Sequence, residues 1–291
     1  MKNLHIVVLA KQVPDTRNVG PDAMKPDGTV NRSALPAIFN PDDLHALELA
    51  LQLKDEIPGT KVTVLTMGPK RAADIIREGY FRGADNGIMV SDRRFGGADT
   101  LATSYTIAMA IKKIGNVDLV VGGVQAIDGD TAQTGPQTAE KIEFPQVTYV
   151  EEVVGISDDK LTLKRRLEKG VETVKTTLPV LLTVAGSSKE CRPRIAQKTL
   201  KYKYARTNTE LGREKDFIQE IVNNKDYLLI PEWSVEDINA DLEKIGLPGS
   251  PTKVKSVENI VLTVKESKIL DSKDESIKEM INDLINAHII G

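Results

Sequence analysis

Short apolar runs alternate with helical spacing through the first half of the chain. Ile6-Val7-Val8-Leu9-Ala10 is continuously apolar, the pattern of a strand buried on both faces, and residues 61–66, 87–90 and 118–122 are further short strand-like runs. The first intervening helix starts at Asn40-Pro41-Asp42-Asp43. Asn40 is placed to cap it, Pro41 suits the first helical position, and two carboxylates favour the positive end of the dipole. Leu44, Leu47 and Leu51 then give one apolar face at i, i+3, i+7. Another helix runs through Ile75 and Ile76 to Gly83. A third opens at Asp99, passes Leu101, Tyr105, Ala108 and Ile111, and stops at Gly115. This alternation predicts an α/β fold with a mostly parallel sheet flanked by helices.

The pattern changes after Pro145. Residues 147–184 hold β-rich runs broken at Ser157-Asp158-Asp159-Lys160 and at Lys169-Gly170, which predicts an antiparallel β extension of the same sheet. A basic segment follows, from Arg192 to Lys203. Residues 274–290 read as an amphipathic C-terminal helix: Ile277, Met280, Ile281, Leu284 and Ile285 lie opposite Lys278, Glu279, Asn282 and Asp283. The expected organisation is a nucleotide-binding domain over 1–230 and a C-terminal extension over 231–291.

Composition narrows the chemistry. In 291 residues, 39 basic and 42 acidic side chains leave a formal charge of −3, which gives no case for a nucleic-acid or membrane-surface partner. No apolar run approaches the ~20 residues of a membrane helix, and the opening residues lack a signal-peptide pattern, so a cytoplasmic location is expected. A single cysteine, Cys191, and three histidines without metal-ligand spacing leave no internal disulfide, structural zinc or self-contained iron–sulfur cluster. Redox chemistry would need an organic cofactor.

Ligands of open α/β sheets bind at the carboxyl ends of strands. The loops there are Leu9-Ala10-Lys11, Asn40 to Asp43, Met67-Gly68-Pro69 and the stretch that follows the strand at 118–122. That stretch reads Gly122-Gly123-Val124-Gln125-Ala126-Ile127-Asp128-Gly129-Asp130-Thr131-Ala132-Gln133-Thr134-Gly135-Pro136. Backbone N–H groups at a helix start, helped by Thr131, Gln133 and Thr134, form a cradle for a pyrophosphate. Asp128 and Asp130 would repel phosphate directly, so their expected roles are capping, shaping the turn, or accepting hydrogen bonds from ribose or flavin groups. Taken alone, such a loop is more often a capped turn without a ligand. It matches neither the Rossmann nor the P-loop glycine pattern, and the later oxygen ligands of a calcium loop are absent. No hydrolase motif is present, Cys191 has no histidine near it in sequence, and Trp233 reads as a packing anchor.

The stretch from Val124 to Gly135 resembles the nucleotide-binding signature of the electron-transfer flavoprotein β-subunit (FixA-like) family. Lys11-Gln12-Val13-Pro14-Asp15, Asn40-Pro41-Asp42-Asp43 and Met67-Gly68-Pro69 resemble that family in the same order and spacing, and the likeness extends to Gly249-Ser250-Pro251-Thr252. It covers roughly residues 1–260. The resemblance implies an adenine-nucleotide α-hydrolase-like domain paired with a larger α-type subunit. In ordinary members this site holds AMP, with FAD between the subunits; in electron-bifurcating members it holds a second FAD that takes hydride from NADH. Asp128-Gly129-Asp130-Thr131-Ala132-Gln133 looks like the bifurcating form, since Gly129 and Ala132 leave room beyond the AMP half of FAD.

Carried over by position, the resemblance implies nucleotide contacts from Leu9, Ala10, Lys11, Asn40, Pro41, Asp42, Asp43, Met67, Gly68 and the whole of Val124, Gln125, Ala126, Ile127, Asp128, Gly129, Asp130, Thr131, Ala132, Gln133, Thr134 and Gly135. It implies no catalytic side chain and no metal. The partners it implies are a flavin-dependent dehydrogenase of acyl-CoA or 2-hydroxy acid type and a low-potential carrier, ferredoxin or flavodoxin. The family's docking loop falls near Cys191 to Lys198 and is more basic here than in ordinary members. Two readings of another class keep the fold: a non-redox adenine-nucleotide sensor, and an ATP-consuming ligase, for which no glycine-rich loop follows the first strand.

Overall fold

The computed structural model describes residues 3–15, 36–252 and 269–290. These fall into two units, 3–15 with 36–252, and 269–290.

The first unit is built on a nine-stranded sheet. Its strands in chain order are β1 (His5–Leu9), β4 (Lys61–Met67), β5 (Asn86–Val90), β6 (Leu119–Gly123), β7 (Gln146–Ser157), β8 (Lys160–Leu167), β9 (Gly170–Thr177), β10 (Val180–Val184) and β13 (Glu232–Trp233). Two short ladders stand outside it, β2 (Gln12–Pro14) with β3 (Ala37–Phe39), and β11 (Arg206–Thr207) with β12 (Leu229–Ile230). The helices are α1 (Pro41–Glu56), α2 (Ala73–Arg82), α3 (Thr100–Ile114), α4 (Thr134–Ile142), α5 (Ala196–Tyr202), α6 (Asn208–Leu211) and α7 (Asp216–Asn223).

Strand order is β13-β5-β4-β1-β6-β10-β7-β8-β9, parallel from β13 to β7 and antiparallel from β7 to β9. Successive residues of β1 feed opposite layers. Ile6 and Val8 pack with Leu47 of α1 and Ile76 of α2, whereas Val7 packs with Ala108 and Ile111 of α3 and Ala139 of α4. Both faces are therefore covered, which explains why the central strands are largely apolar. The chain goes from β1 outward to β4 and β5, then returns to the other side of β1 as β6. The carboxyl ends of β1 and β6 thus flank a topological switch point, where the adjoining loops diverge and leave a crevice.

Two expectations are corrected. The run 180–184 is not part of an antiparallel meander: β10 lies between β6 and β7 and is parallel to both. Its unbroken burial is that of an interior parallel strand, leaving only β7, β8 and β9 as the antiparallel extension. Asn40 occupies the N-cap position of α1 but makes no side-chain cap there. By contrast, Asp99 caps α3 as expected, accepting the N–H groups of Leu101 and Ala102 at 2.9 and 3.0 Å.

The second unit is described through α8 (Asp274–Asn286), which buries none of its residues. Ile277, Met280, Ile281 and Ile285 lie exposed along one stripe. No helix among the described residues is long and apolar enough to cross a membrane.

Candidate cofactor site at the carboxyl edge of the sheet

A cavity of about 660 Å³ opens at the switch point. Leu9, Ala10 and Lys11 line it from the end of β1, Met67 from β4, and Gly122 and Gly123 from β6. Val124, Gln125, Ala126 and the run Gly129 to Gly135 form one wall, and Asp43 reaches in from α1. Asn40, Pro41, Asp42, Gly68, Ile127 and Asp128 are not among the lining residues.

Asn40 supports the site from behind. It is fully buried, its amide donates to the Gln125 carbonyl at 2.8 Å, and its Oδ1 accepts the Ile127 N–H at 3.2 Å. The side chain expected to cap a helix is thus spent on pinning the loop after β6. Asp43 acts in parallel: its carboxylate accepts the Lys11 N–H at 2.9 Å and the Gly123 N–H at 3.0 Å. The first turn of α1 therefore ties together the ends of β1 and β6 and the loop between β6 and α4. Gly123 permits this contact, because a Cβ there would lie 2.6 Å from the Asp42 backbone.

Beyond the pinned segment the backbone turns back on itself. The N–H groups of Gly129 and Asp130 both donate to the Ala126 carbonyl, at 3.1 and 2.9 Å, and Asp130 and Ala132 take left-handed φ values of 49° and 52°. The next five N–H groups, Thr131 to Gly135, find no backbone acceptor among the described residues. Thr131 to Gln133 precede α4 and Thr134 and Gly135 begin it, at the end where its dipole is positive. A run of donors at a helix start beside a cavity is suited to an anion. Gly129 faces open space, with nothing within 4 Å of the position a Cβ would take.

Sequence reasoning missed the opposite wall. Phe95, Gly97, Ala98, Asp99, Thr100, Thr103 and Ile107 line the cavity from the loop after β5 and from α3, and Thr252 joins them. The signal was available, since this glycine-containing loop also follows a strand at its carboxyl end. Thr100 Oγ1 donates to Gln133 Oε1 at 3.0 Å, and Thr252 Oγ1 donates to the Asp99 carboxylate at 2.7 Å, so this wall is joined to the cradle and to the Gly249–Thr252 segment.

Comparisons with known proteins identify the family. The model of the electron transfer flavoprotein domain matches residues 27–205. The chain belongs to the electron-transfer flavoprotein β-subunit family. It is 44% identical over 251 residues to the caffeyl-CoA reductase-Etf complex subunit CarD of Acetobacterium woodii, covering 86% of each chain. It is 45% identical over 252 residues to the electron transfer flavoprotein subunit beta of Clostridium acetobutylicum, covering 87% of this chain and 86% of that one. The acryloyl-CoA reductase electron transfer subunit gamma of Anaerotignum propionicum is 40% identical over 291 residues, covering 99% of this chain and all of its own length.

Two further features of this β-subunit follow from its electrostatics. Burial pushes the Asp43 carboxyl up to about 7, although the N–H groups of Lys11 and Gly123 and the side chain of Asn40 pull it down. A raised carboxyl binds its proton more tightly in the folded state than in the unfolded chain. Its contribution to stability is present below about pH 4 and lost as pH rises through 7. In thermal melts of the full chain, Asp43→Asn is expected to remove a fall in stability on the order of 3 kcal/mol between pH 4 and 8. An unchanged pH profile would show that Asp43 is ionised throughout.

The basic segment is largely engaged within the chain. Arg192 pairs with Glu48 at 2.9 Å, the N–H of Arg192 reaches the same carboxylate, and Arg194 pairs with Glu78. Lys201 lies over the rings of Tyr202 and Tyr227, 4.9 and 4.7 Å from their centroids. Burial pushes the Cys191 thiol up to about 11, which keeps it protonated and unreactive at neutral pH.

Proposed function

We propose that this β-subunit holds FAD in the cavity at the carboxyl edge of the sheet, as the NADH-accepting site of an electron-bifurcating complex. The observation that carries the reading is the row of five N–H groups from Thr131 to Gly135, without a backbone acceptor among the described residues, beside open space at Gly129. The N–H groups suit a pyrophosphate, and the space beyond Gly129 suits a group larger than AMP.

When bound, FAD supplies hydride acceptance from NADH and one-electron transfer to a low-potential carrier and, through the flavin of the α-type subunit, to a dehydrogenase. The chain's own part is positional. Thr131 to Gly135 hold phosphate oxygens, Leu9 and Met67 supply apolar cover, and Asn40 and Asp43 fix the loops in register. No side chain needs to act as an acid or base. The relatives whose names place them in caffeyl-CoA and acryloyl-CoA reductase systems support a dehydrogenase partner of acyl-CoA type, and a ferredoxin or flavodoxin is the proposed carrier. Anaerobic titration of the purified heterodimer with NADH is expected to bleach one of two flavins. A flavin spectrum indifferent to NADH would overturn the donor assignment.

The partner contact we assign to the second unit is a clasp on the α-type subunit. A helix of 13 residues is marginal alone in water, and the exposed stripe of Ile277, Met280, Ile281 and Ile285 needs a covering surface. Truncation after Val264, a position outside the described residues, is expected to weaken heterodimer affinity at least about tenfold while the α/β unit keeps its thermal transition. Unchanged affinity, or loss of that transition, would contradict the clasp.

A further inference from the structure

Lys11 is the one basic side chain among the described residues lining the cavity, where Asp43, Asp99 and Asp130 also stand. A phosphate site with a single lysine invites the reading that the lysine binds the phosphate. The geometry points elsewhere. Lys11 Nζ donates to both carboxylate oxygens of Asp128, at 2.7 and 2.9 Å, across 117 positions of sequence. Asp128 sits between the segment pinned by Asn40 and the row of N–H groups from Thr131 to Gly135. Unpaired, its charge would oppose any anion entering the cradle.

We propose that Lys11 acts on a bound phosphate through Asp128, cancelling the charge of the loop carboxylate that stands beside the backbone cradle. Lys11 is then a positioning and charge-neutralising residue, and the attraction for phosphate comes from oriented N–H groups. The proposal rests on the reading of the cavity as an adenine-nucleotide site. It assigns the pair a role that scales with ligand charge and vanishes for an uncharged ligand.

The full-length chain is titrated with adenosine, AMP and ADP, as wild type, Lys11→Met, Asp128→Asn and the double variant. Lys11→Met is expected to weaken AMP about tenfold and ADP by more, because the charge of Asp128 is then uncancelled near each added charge, and to leave adenosine unchanged. The double variant should return AMP and ADP to within about twofold of wild type, since removing both members of the pair restores the net charge of the wild-type mouth. A double variant as weak as Lys11→Met would mean that Lys11 touches the phosphate directly, and the proposal would fail. Equal losses for adenosine and AMP in Lys11→Met would mean that the pair only holds the loop in place, which overturns it as well. A wild-type chain that binds none of the three probes would overturn the nucleotide reading of the cavity, and this proposal with it.

Discussion

Gly129→Glu is expected to strip the cofactor from this subunit's site while leaving the chain folded. Nothing lies within 4 Å of the position a Cβ would occupy, and φ there is not in the left-handed region, so a side chain can be built without backbone strain. The new carboxylate would enter the space where the pyrophosphate meets the cradle. Two unit charges about 5 Å apart at a partly screened site repel by about 3 kcal/mol, or more than about 100-fold in affinity. The heterodimer should then retain only the flavin of the α-type subunit, and the thermal midpoint of the cofactor-free chain should stay within about 2 °C of wild type. Gly129→Ala, which adds neither reach nor charge, should keep both cofactors. A Gly129→Glu heterodimer with full occupancy would show that this loop does not line the cofactor site.

A second substitution should act in the opposite manner, through the scaffold. In Gly123→Ala the added methyl would fall 2.6 Å from the Asp42 carbonyl carbon and Cβ, and 2.7 Å from Asp43 Oδ1. The first turn of α1 cannot simply retreat, because Asn40 is bonded to Gln125 and Ile127, and Asp43 to Lys11. Overpacking of this kind costs about 1–3 kcal/mol, and for a chain of this size each kcal/mol lowers the midpoint by about 2–4 °C. Gly123→Ala should therefore lower both thermal stability and cofactor retention, whereas Gly170→Ala, at a site with nothing within 4 Å, should change neither. If Gly123→Ala lost cofactor with an unchanged midpoint, the scaffold explanation would be wrong.

How much of this was legible in the sequence depends on the range of the interaction concerned. The buried parallel strands showed as apolar runs because both faces of the sheet are covered, and Asp99 showed as a cap because its partners lie two and three residues ahead. Asn40 looked like another cap, yet its partners lie 85 and 87 residues away, where no local pattern reveals them. The same holds for Lys11 and Asp128: their pairing turns two apparently independent charges into one neutral unit. The run 180–184 was misassigned through its neighbours, although its five unbroken buried positions carried the signature of an interior parallel strand. Phe95 to Asp99 could have been found by applying the strand-end rule to β5 as well as to β1, β4 and β6.

The identity of the second cofactor is the point on which the functional account turns. The heterodimer, purified with its α-type subunit, can be denatured and the released nucleotides separated and quantified. The account predicts two FAD per heterodimer and no AMP. One FAD and one AMP would contradict it: the chain would remain an electron-transfer flavoprotein β-subunit, and the cavity beside Gly129 would not be a site of hydride acceptance.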